Sequence, residues 1–573
     1  MGLEEQAQSA WADRRNVLLC ALLFLIAAAA TWPVLEAGVD DEWSYSHIAL
    51  RLATTGHLAY DGFASPVLLP QLLWAAATIK LFGFSFLALR LSVMLTTVLL
   101  IPALYYLGRE CGLRPSFAAF ATSLTVFSPL VMVEAVSFMS DVPALFFFVC
   151  CLSCGLRAWK SNTIKASARW ALLLSLTGAL AGLERQIYWL APLSFLPVLA
   201  WSKRRQNAAV VALTAVWILE LLIALLVNRW FHAQPYAVNE LASDGRSVSA
   251  LNLLARRLLL TCQLALTAAL ILTPALVSFV APGLRRVSRG AAVCIVLTAI
   301  ALGLAGIHWS GLQAPWMEDV LKNPLRLAFS NRPHVLLGVR GIISVTVFLS
   351  IAGCGLALWP VWKRTNLKEQ LRKSATPAIF FGLAFGAGWL PLVLSRSLSR
   401  LLFDRYLMTF LPLAGIPLLW IYQTHIRRSI SPSAWCVLAI FALYGVAGTH
   451  DLFAAGGARL QATRSLEQAG IPRTAITAGL EFDGWTQVEA EGRVLGYFEA
   501  VERRASCTGP QSLRPFYLPR MPALRIRYLV SQARVPQLAD VPGAAISYAS
   551  WLSPGRRWIF TQVHPQGEFA ECR

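Results

Sequence analysis

Apolar residues fill most of the first 450 positions in long runs, broken by short polar or basic stretches. A bilayer core takes about 20 apolar residues per helix. By that measure the runs predict spans near 16–33, 86–108, 115–134, 142–157, 168–184, 187–202, 207–228, 257–281, 291–308, 335–361, 377–395, 407–424 and 433–449, about thirteen in all. The run Trp170 to Trp201 is too long for one crossing and carries Glu184 and Arg185 near its middle. A charge at the bilayer centre costs roughly 2.5–3.5 kcal/mol or more. A hairpin, with that pair at the membrane surface, removes the cost. Leu68 to Phe82 is apolar but short, is broken by Pro70 and Gln71, and ends beside Lys80. It reads as a helix lying in the interface.

Beyond about residue 450 the long apolar runs stop. A helical stretch (Ala458 to Ala469), a strand-like one (Arg525 to Val530) and turns at Asp483-Gly484 and Pro554-Gly555 predict a small α/β domain over 450–573. The fold class is therefore mainly α, a polytopic transmembrane bundle (1–449) with a small C-terminal α/β domain. No internal repeat, P-loop or dinucleotide fingerprint interrupts this pattern.

Composition agrees. The chain is 57% hydrophobic and 14% charged, where soluble domains carry about a quarter charged residues. The net charge of +20 does not point to nucleic acid, because the basic residues are dispersed between the apolar runs. Clusters such as Arg14-Arg15, Lys203-Arg204-Arg205, Arg285-Arg286 and Arg427-Arg428 follow the positive-inside pattern. They predict an integral protein of a bacterial-type inner or plasma membrane, with a cytoplasmic N-terminus and an extracytoplasmic C-terminal domain. The outer loops are then about 34–85, 135–141, 229–256, 309–334 and 396–406. The first run reads as an uncleaved span rather than a signal peptide, because it sets the orientation of many later spans. Of eleven cysteines, only Cys507 and Cys572 lie in the polar C-terminal part. In an oxidising compartment they are expected to pair, which is worth about 4 kcal/mol in the chain-entropy account.

Candidate chemistry gathers on the outer side. Asp40-Asp41-Glu42, with Trp43 and Tyr45, follows the first span. A carboxylate held at the membrane surface suits general-base work on a hydroxyl, and equally suits the start of a helix. Asp141, after Ser140 and before Pro143, opens the fourth span, also an ordinary helix start. Arg90, Arg185, Arg396, Arg400 and Arg405 lie on the side where arginine should be scarce. Guanidinium forks suit phosphate oxygens; snorkelling, or pairing with Glu184 and Asp404, is the alternative.

These residues resemble a known pattern. Asp41-Glu42 with Tyr45, Leu81-Phe82-Gly83 followed by Arg90, Ser140-Asp141, and the Gly182 to Arg185 hairpin resemble the GT-C class of membrane glycosyltransferases. The pattern is similar in particular to the protein O-mannosyltransferase and lipid A aminoarabinose transferase families. Arg405-Tyr406 with Pro412 is similar to the late span of that class. The aminoarabinose enzymes carry a lysine before a proline in the first outer loop; here the place reads Ala64-Ser65-Pro66. The resemblance implies transfer of a sugar from a polyprenyl-phosphate donor to an acceptor hydroxyl on a lipid, glycan or protein, with inversion. It implies Asp41 as base, with Asp40 and Glu42 as positioning groups. Tyr45, Asp141, Arg90, Arg185, Arg405 and Tyr406 would contact substrate. No cofactor motif is present, though the class leaves room for a divalent cation near Asp141. A transporter or flippase of lipid-linked or anionic substrates is the rival class, since intramembrane charges serve there too.

Overall fold

The computed structural model describes residues 3–238, 250–308, 313–317, 319–329, 332–363, 376–395, 403–496 and most of 499–571. Each predicted crossing is occupied by helix. Among the described residues, nine helices are long and apolar enough to cross a membrane, or ten if one bent pair counts as a crossing. That pair corrects the third predicted span. Pro115–Val126 and Pro129–Ala135 meet at 66°, because Pro129 cannot continue the hydrogen-bond ladder of the helix before it. The predicted hairpin forms: Ile164–Glu184 ends at Arg185, a turn Gln186–Trp189 follows, and Leu190–Ser202 returns. Asp141–Lys160 is central, with 67% of its apolar window buried, whereas Asn207–His232 is peripheral at 11%.

The segment between the first helix and Phe86–Glu110, expected from the sequence to be the first outer loop, holds two helices, Glu42–Thr55 and Leu69–Phe82. The second, at 14 residues, is about 21 Å long, short of the roughly 30 Å hydrocarbon core. It exposes Leu73, Trp74, Leu81 and Phe82, as an interfacial helix does.

The last crossing does not stop at the predicted boundary of 449. It continues as one helix, Pro432–Gln468, into the C-terminal domain. There a five-stranded sheet runs in the order Ile476–Thr477, Tyr528–Ser531, Gly555–Val563, Ala539–Asp540, with Ile546–Ser550 also paired to Gly555–Val563. The first pair is parallel and the others are antiparallel. The predicted strand Arg525 to Val530 is split into Arg525–Ile526 and Tyr528–Ser531, which join different sheets.

The predicted turn at Asp483-Gly484 is instead inside a helix, Leu480–Glu491. The Asp483 carboxylate accepts from the Thr477 hydroxyl at 2.6 Å and the Ala478 amide at 3.0 Å, tying the helix to the first strand. Gly484 is required by packing: a Cβ there would lie 2.6 Å from the Trp43 ring. Trp43, fully buried, belongs to the hydrophobic core of the C-terminal domain with Val488, Val494, Leu518 and Leu524. The Val494 amide donates to the Asp61 carbonyl at 2.7 Å, and Arg520 donates to the Gly62 carbonyl at 2.7 Å. Trp485 stacks on Phe84 with centroids 5.7 Å apart. The C-terminal domain is thus seated on the loop that carries the acidic trio.

Candidate functional site

Asp40 has φ +54°, a left-handed conformation that aspartate tolerates better than most residues. Asp41 then precedes the helix Glu42–Thr55, but its side chain makes no capping hydrogen bond to that helix. Its carboxylate accepts instead from Arg405 Nη2 at 3.1 Å, while Arg405 Nη1 donates to Asp40 at 3.0 Å. Arg405 sits on a single turn, Asp404–Leu407, and is 5% exposed. Two further carboxylates close on it: Asp319 lies 3.4 Å from Nε and Glu134 lies 3.8 Å from Nη1. Asp404 fixes Asp319 indirectly, by accepting from the Val320 amide at 3.2 Å and the Leu321 amide at 2.8 Å.

Four carboxylates around one guanidinium have electrostatic consequences. Burial raises the Asp40 carboxyl well above the usual carboxylate range, the neighbouring Asp41 charge adds to that, and Arg405 opposes both. Burial likewise pushes Asp319 up to about 7, against the pull of Arg405. Burial works against the charge on Arg405, but Asp40, Asp41 and Asp319 outweigh it and raise its pKa. Burial also raises the Tyr45 phenol, with Asp41 reinforcing it.

A second ion pair stands beside the first. Arg185 pairs through Nη1 with Asp141, and the same nitrogen lies 3.4 Å from the Ser140 hydroxyl. Its guanidinium lies 5.9 Å from the Tyr406 ring centroid. Among the described residues, Nη1 is the only donor of Arg185 with hydrogen-bond partners, and the side chain is 13% exposed. Part of the Arg185 fork is therefore uncommitted among the described residues, while Arg405 is enclosed by carboxylates. The two arginines, expected from the sequence to serve a phosphate alike, thus have different surroundings. Glu184, next to it, accepts from the Gln71 amide at 3.1 Å and so anchors the interfacial helix.

Glu42 and Arg90 are placed elsewhere. Both are fully buried and form a bidentate pair at 2.8 and 2.7 Å. Arg90 also donates to the carbonyls of Pro33, Leu35 and Ala37, and Glu42 accepts from the amides of Val39 and Phe138. With every donor and acceptor committed to the loop 33–42 and its surroundings, this pair shapes the backbone that presents Asp40 and Asp41. The substrate contact expected of Arg90 from the sequence finds no open donor here, while Glu42 holds the loop, in keeping with a positioning role.

Asp40, Asp41, Tyr45, Asp141, Arg185, Arg405 and Tyr406 are brought together; Arg396 and Arg400 lie outside the described residues. Cys507 is disulfide-bonded, and its expected partner Cys572 lies outside them too. Sequence reasoning missed Glu134 and Asp319. Glu134 left a signal, being the one charge in the predicted span 115–134, and an ionisable residue in a span is a site candidate in itself. Among the described residues, no group of three or more His, Cys, Asp or Glu is arranged to hold a metal ion.

Asp40 and Asp319 also line a crevice of about 970 Å³, mouth included, between the helix Pro432–Gln468 and the outer sheet. An acidic pair held by arginine, a second arginine with uncommitted donors and a crevice reaching Asp40 form an arrangement chemically able to accept a proton from a hydroxyl and to hold an anion.

Comparison with known proteins gives the following. No curated protein matches significantly. Among solved structures, ArnT from Cupriavidus metallidurans in the apo state is 14% identical, with a TM-score of 0.36, covering 94% of this chain and 97% of that one. The Archaeoglobus fulgidus oligosaccharyltransferase is 14% identical, with a TM-score of 0.38, covering 89% and 67%. The mycobacterial arabinofuranosyltransferase AftD is 15% identical, with a TM-score of 0.36, covering 96% and 40%. Residues 69–240 match the model of the dolichyl-phosphate-mannose-protein mannosyltransferase family, a stretch that holds Arg90, Asp141 and Arg185. Over that stretch the chain is similar to a family of GT-C membrane glycosyltransferases, the class its motifs resemble.

Proposed function

We propose that the protein is a membrane glycosyltransferase that moves a sugar from a polyprenyl-phosphate donor to an acceptor hydroxyl at the outer membrane face, with inversion. The observation that carries this reading is the pairing of Asp41 with Arg405 at 3.1 Å, beside a crevice that Asp40 lines. The matched family takes its sugar from dolichyl phosphate, a lipid donor of the same kind.

The acceptor hydroxyl gives its proton to Asp41 while its oxygen attacks the anomeric carbon. The bond from that carbon to the phosphate oxygen breaks, and the electron pair leaves with the phosphate. A phosphate is a good leaving group and needs no general acid. Its growing charge is met by the remaining donors of Arg185, already oriented by Asp141. Arg405 opposes the burial that favours protonation of Asp40, and its two hydrogen bonds fix Asp40 and Asp41 in place. Tyr45 and Tyr406 wall the space between the two arginines.

Mass spectrometry of envelope lipids and glycans, in cells lacking the gene and in cells complemented with wild type or Asp41→Asn, tests the proposal. One glycosylated species is expected to vanish on deletion, return with wild type and stay absent with Asp41→Asn at equal protein level. Restoration by Asp41→Asn would remove Asp41 from the base role; an unchanged envelope after deletion would remove the transferase reading.

A further inference from the structure

The proposed function leaves the C-terminal domain without a task, yet that domain supplies one wall of the crevice reaching Asp40. On the membrane side the crevice is lined by Asp40, Asp319 and the helix Pro432–Gln468; on the outer side it is lined by Gln532 and Tyr548.

Its lining has a defined chemistry. Gln532 Nε2 donates to the Tyr548 hydroxyl at 3.2 Å. That contact leaves the phenol hydrogen and the Gln532 carbonyl oxygen as a donor and an acceptor side by side. A sugar hydroxyl both donates and accepts, and so matches the pair. Gly445 and Gly448 face the crevice without side chains, next to Pro324 and Leu452, giving an apolar strip for the C–H face of a ring. The charged groups on the lining are mostly acidic: Asp451, Glu481 beside Arg459, and Asp40 and Asp319, both also held by Arg405, against Arg557. Arg557 is itself turned to the Ala328 carbonyl. A carboxylate or phosphate entering here meets like charge in a partly desolvated space.

Resting on the glycosyltransferase reading, we propose that this crevice is the acceptor subsite, that it takes an uncharged, hydroxyl-rich carbohydrate, and that Gln532 and Tyr548 are specificity-determining residues supplied by the C-terminal domain. The donor lipid then approaches Arg185 from the membrane, and the acceptor approaches Asp40 and Asp41 from the crevice. Glu481, whose carboxylate lies 3.6 Å from Arg459 Nη1, is the side chain that refuses anions at the crevice wall.

The test uses the full chain in lipid nanodiscs. Saturation-transfer NMR reads binding of a panel of neutral oligosaccharides and of the same oligosaccharides carrying a uronate. Undecaprenyl phosphate binding is measured on the same preparations. Neutral members are expected to bind at least tenfold tighter than their uronate forms. The Gln532→Leu/Tyr548→Phe double variant is expected to weaken neutral binding at least tenfold while leaving undecaprenyl phosphate binding unchanged. Glu481→Gln is expected to narrow the gap between neutral and uronate forms. Equal or tighter binding of the uronate forms, wild-type affinity in the double variant, or no binding of any panel member overturns the assignment. A wild type that binds neutral oligosaccharides but not undecaprenyl phosphate supports the crevice and overturns the donor reading instead.

Discussion

Asp41 and Arg405 stand 364 positions apart in the chain and 3.1 Å apart in space. Because Arg405 also faces Asp40, Asp319 and Glu134, it is the electrostatic hub of the site. Removing either partner has a different expected result. Asp41→Asn keeps size and hydrogen bonding and is expected to lower sugar transfer by about 10²–10⁴, the usual weight of a general base, with normal protein level. Arg405→Ala strands four carboxylates, and a buried pair broken from one side costs about 3–5 kcal/mol. Loss of folded protein is expected, with partial rescue by adding Asp319→Asn. Transfer assays normalised to detergent-soluble folded protein separate the two.

Arg185 keeps donors that Arg405 does not. Arg185→Gln is expected to weaken undecaprenyl phosphate binding by about tenfold, or roughly 1.4 kcal/mol, in an equilibrium binding assay. Arg405→Lys is expected to change that binding less. The opposite ranking would return the phosphate role to Arg405.

Glu42 and Arg90 answer to stability rather than to turnover. Arg90→Ala leaves Glu42 and three backbone carbonyls without their donor. A cost of about 3–5 kcal/mol is expected, seen as a lower thermal midpoint of the solubilised protein. A variant that melts like wild type but fails to bind substrate would overturn this placement.

Asp483 gives the outer domain a pH dependence of known sign. Burial lifts its carboxyl from the ordinary 3.8 to about 7, against hydrogen bonds from Thr477, Ala478 and Tyr517. Between those values the folded domain binds more protons than the unfolded chain, so stability falls as pH rises from about 4 to 7 and levels off above. Asp483→Asn is expected to flatten the slope, measured by chemical denaturation of the domain across that range.

Trp43 roots the outer domain beside the acidic pair. Trp43→Ala empties a fully buried site and is expected to cost about 3–5 kcal/mol. Limited proteolysis is expected to release the outer domain in this variant while the membrane bundle stays intact.

The fold was largely legible because lipid imposes a simple length rule. Apolar runs gave the helices, and the charged Glu184-Arg185 pair gave the hairpin. The bend before Pro129 was less legible, because the run 115–134 stays apolar across it. In the site, Asp40, Asp41, Arg185 and Arg405 were visible as charges where charge is costly. Their partners were not, because pairing depends on which distant loop is carried over them: Asp319 reaches Arg405 only because Asp404 grips the Val320 and Leu321 amides. Nor does charge by itself tell a working carboxylate from a structural one. Glu42 is adjacent to Asp41 in the chain, yet its side chain turns into the protein toward Arg90.

The uninterrupted helix Pro432–Gln468 has a mechanical consequence. At 37 residues it is a rod of about 55 Å, so roughly half of it projects beyond a 30 Å hydrocarbon slab. The residues of this helix that line the crevice, Tyr444 to Leu452, lie near its middle. A thicker or thinner bilayer alters the rod's tilt, and the projecting half swings with it like a lever arm. The crevice sits near the fulcrum of that lever, so a change of bilayer thickness is expected to alter how the sheet meets the helix there.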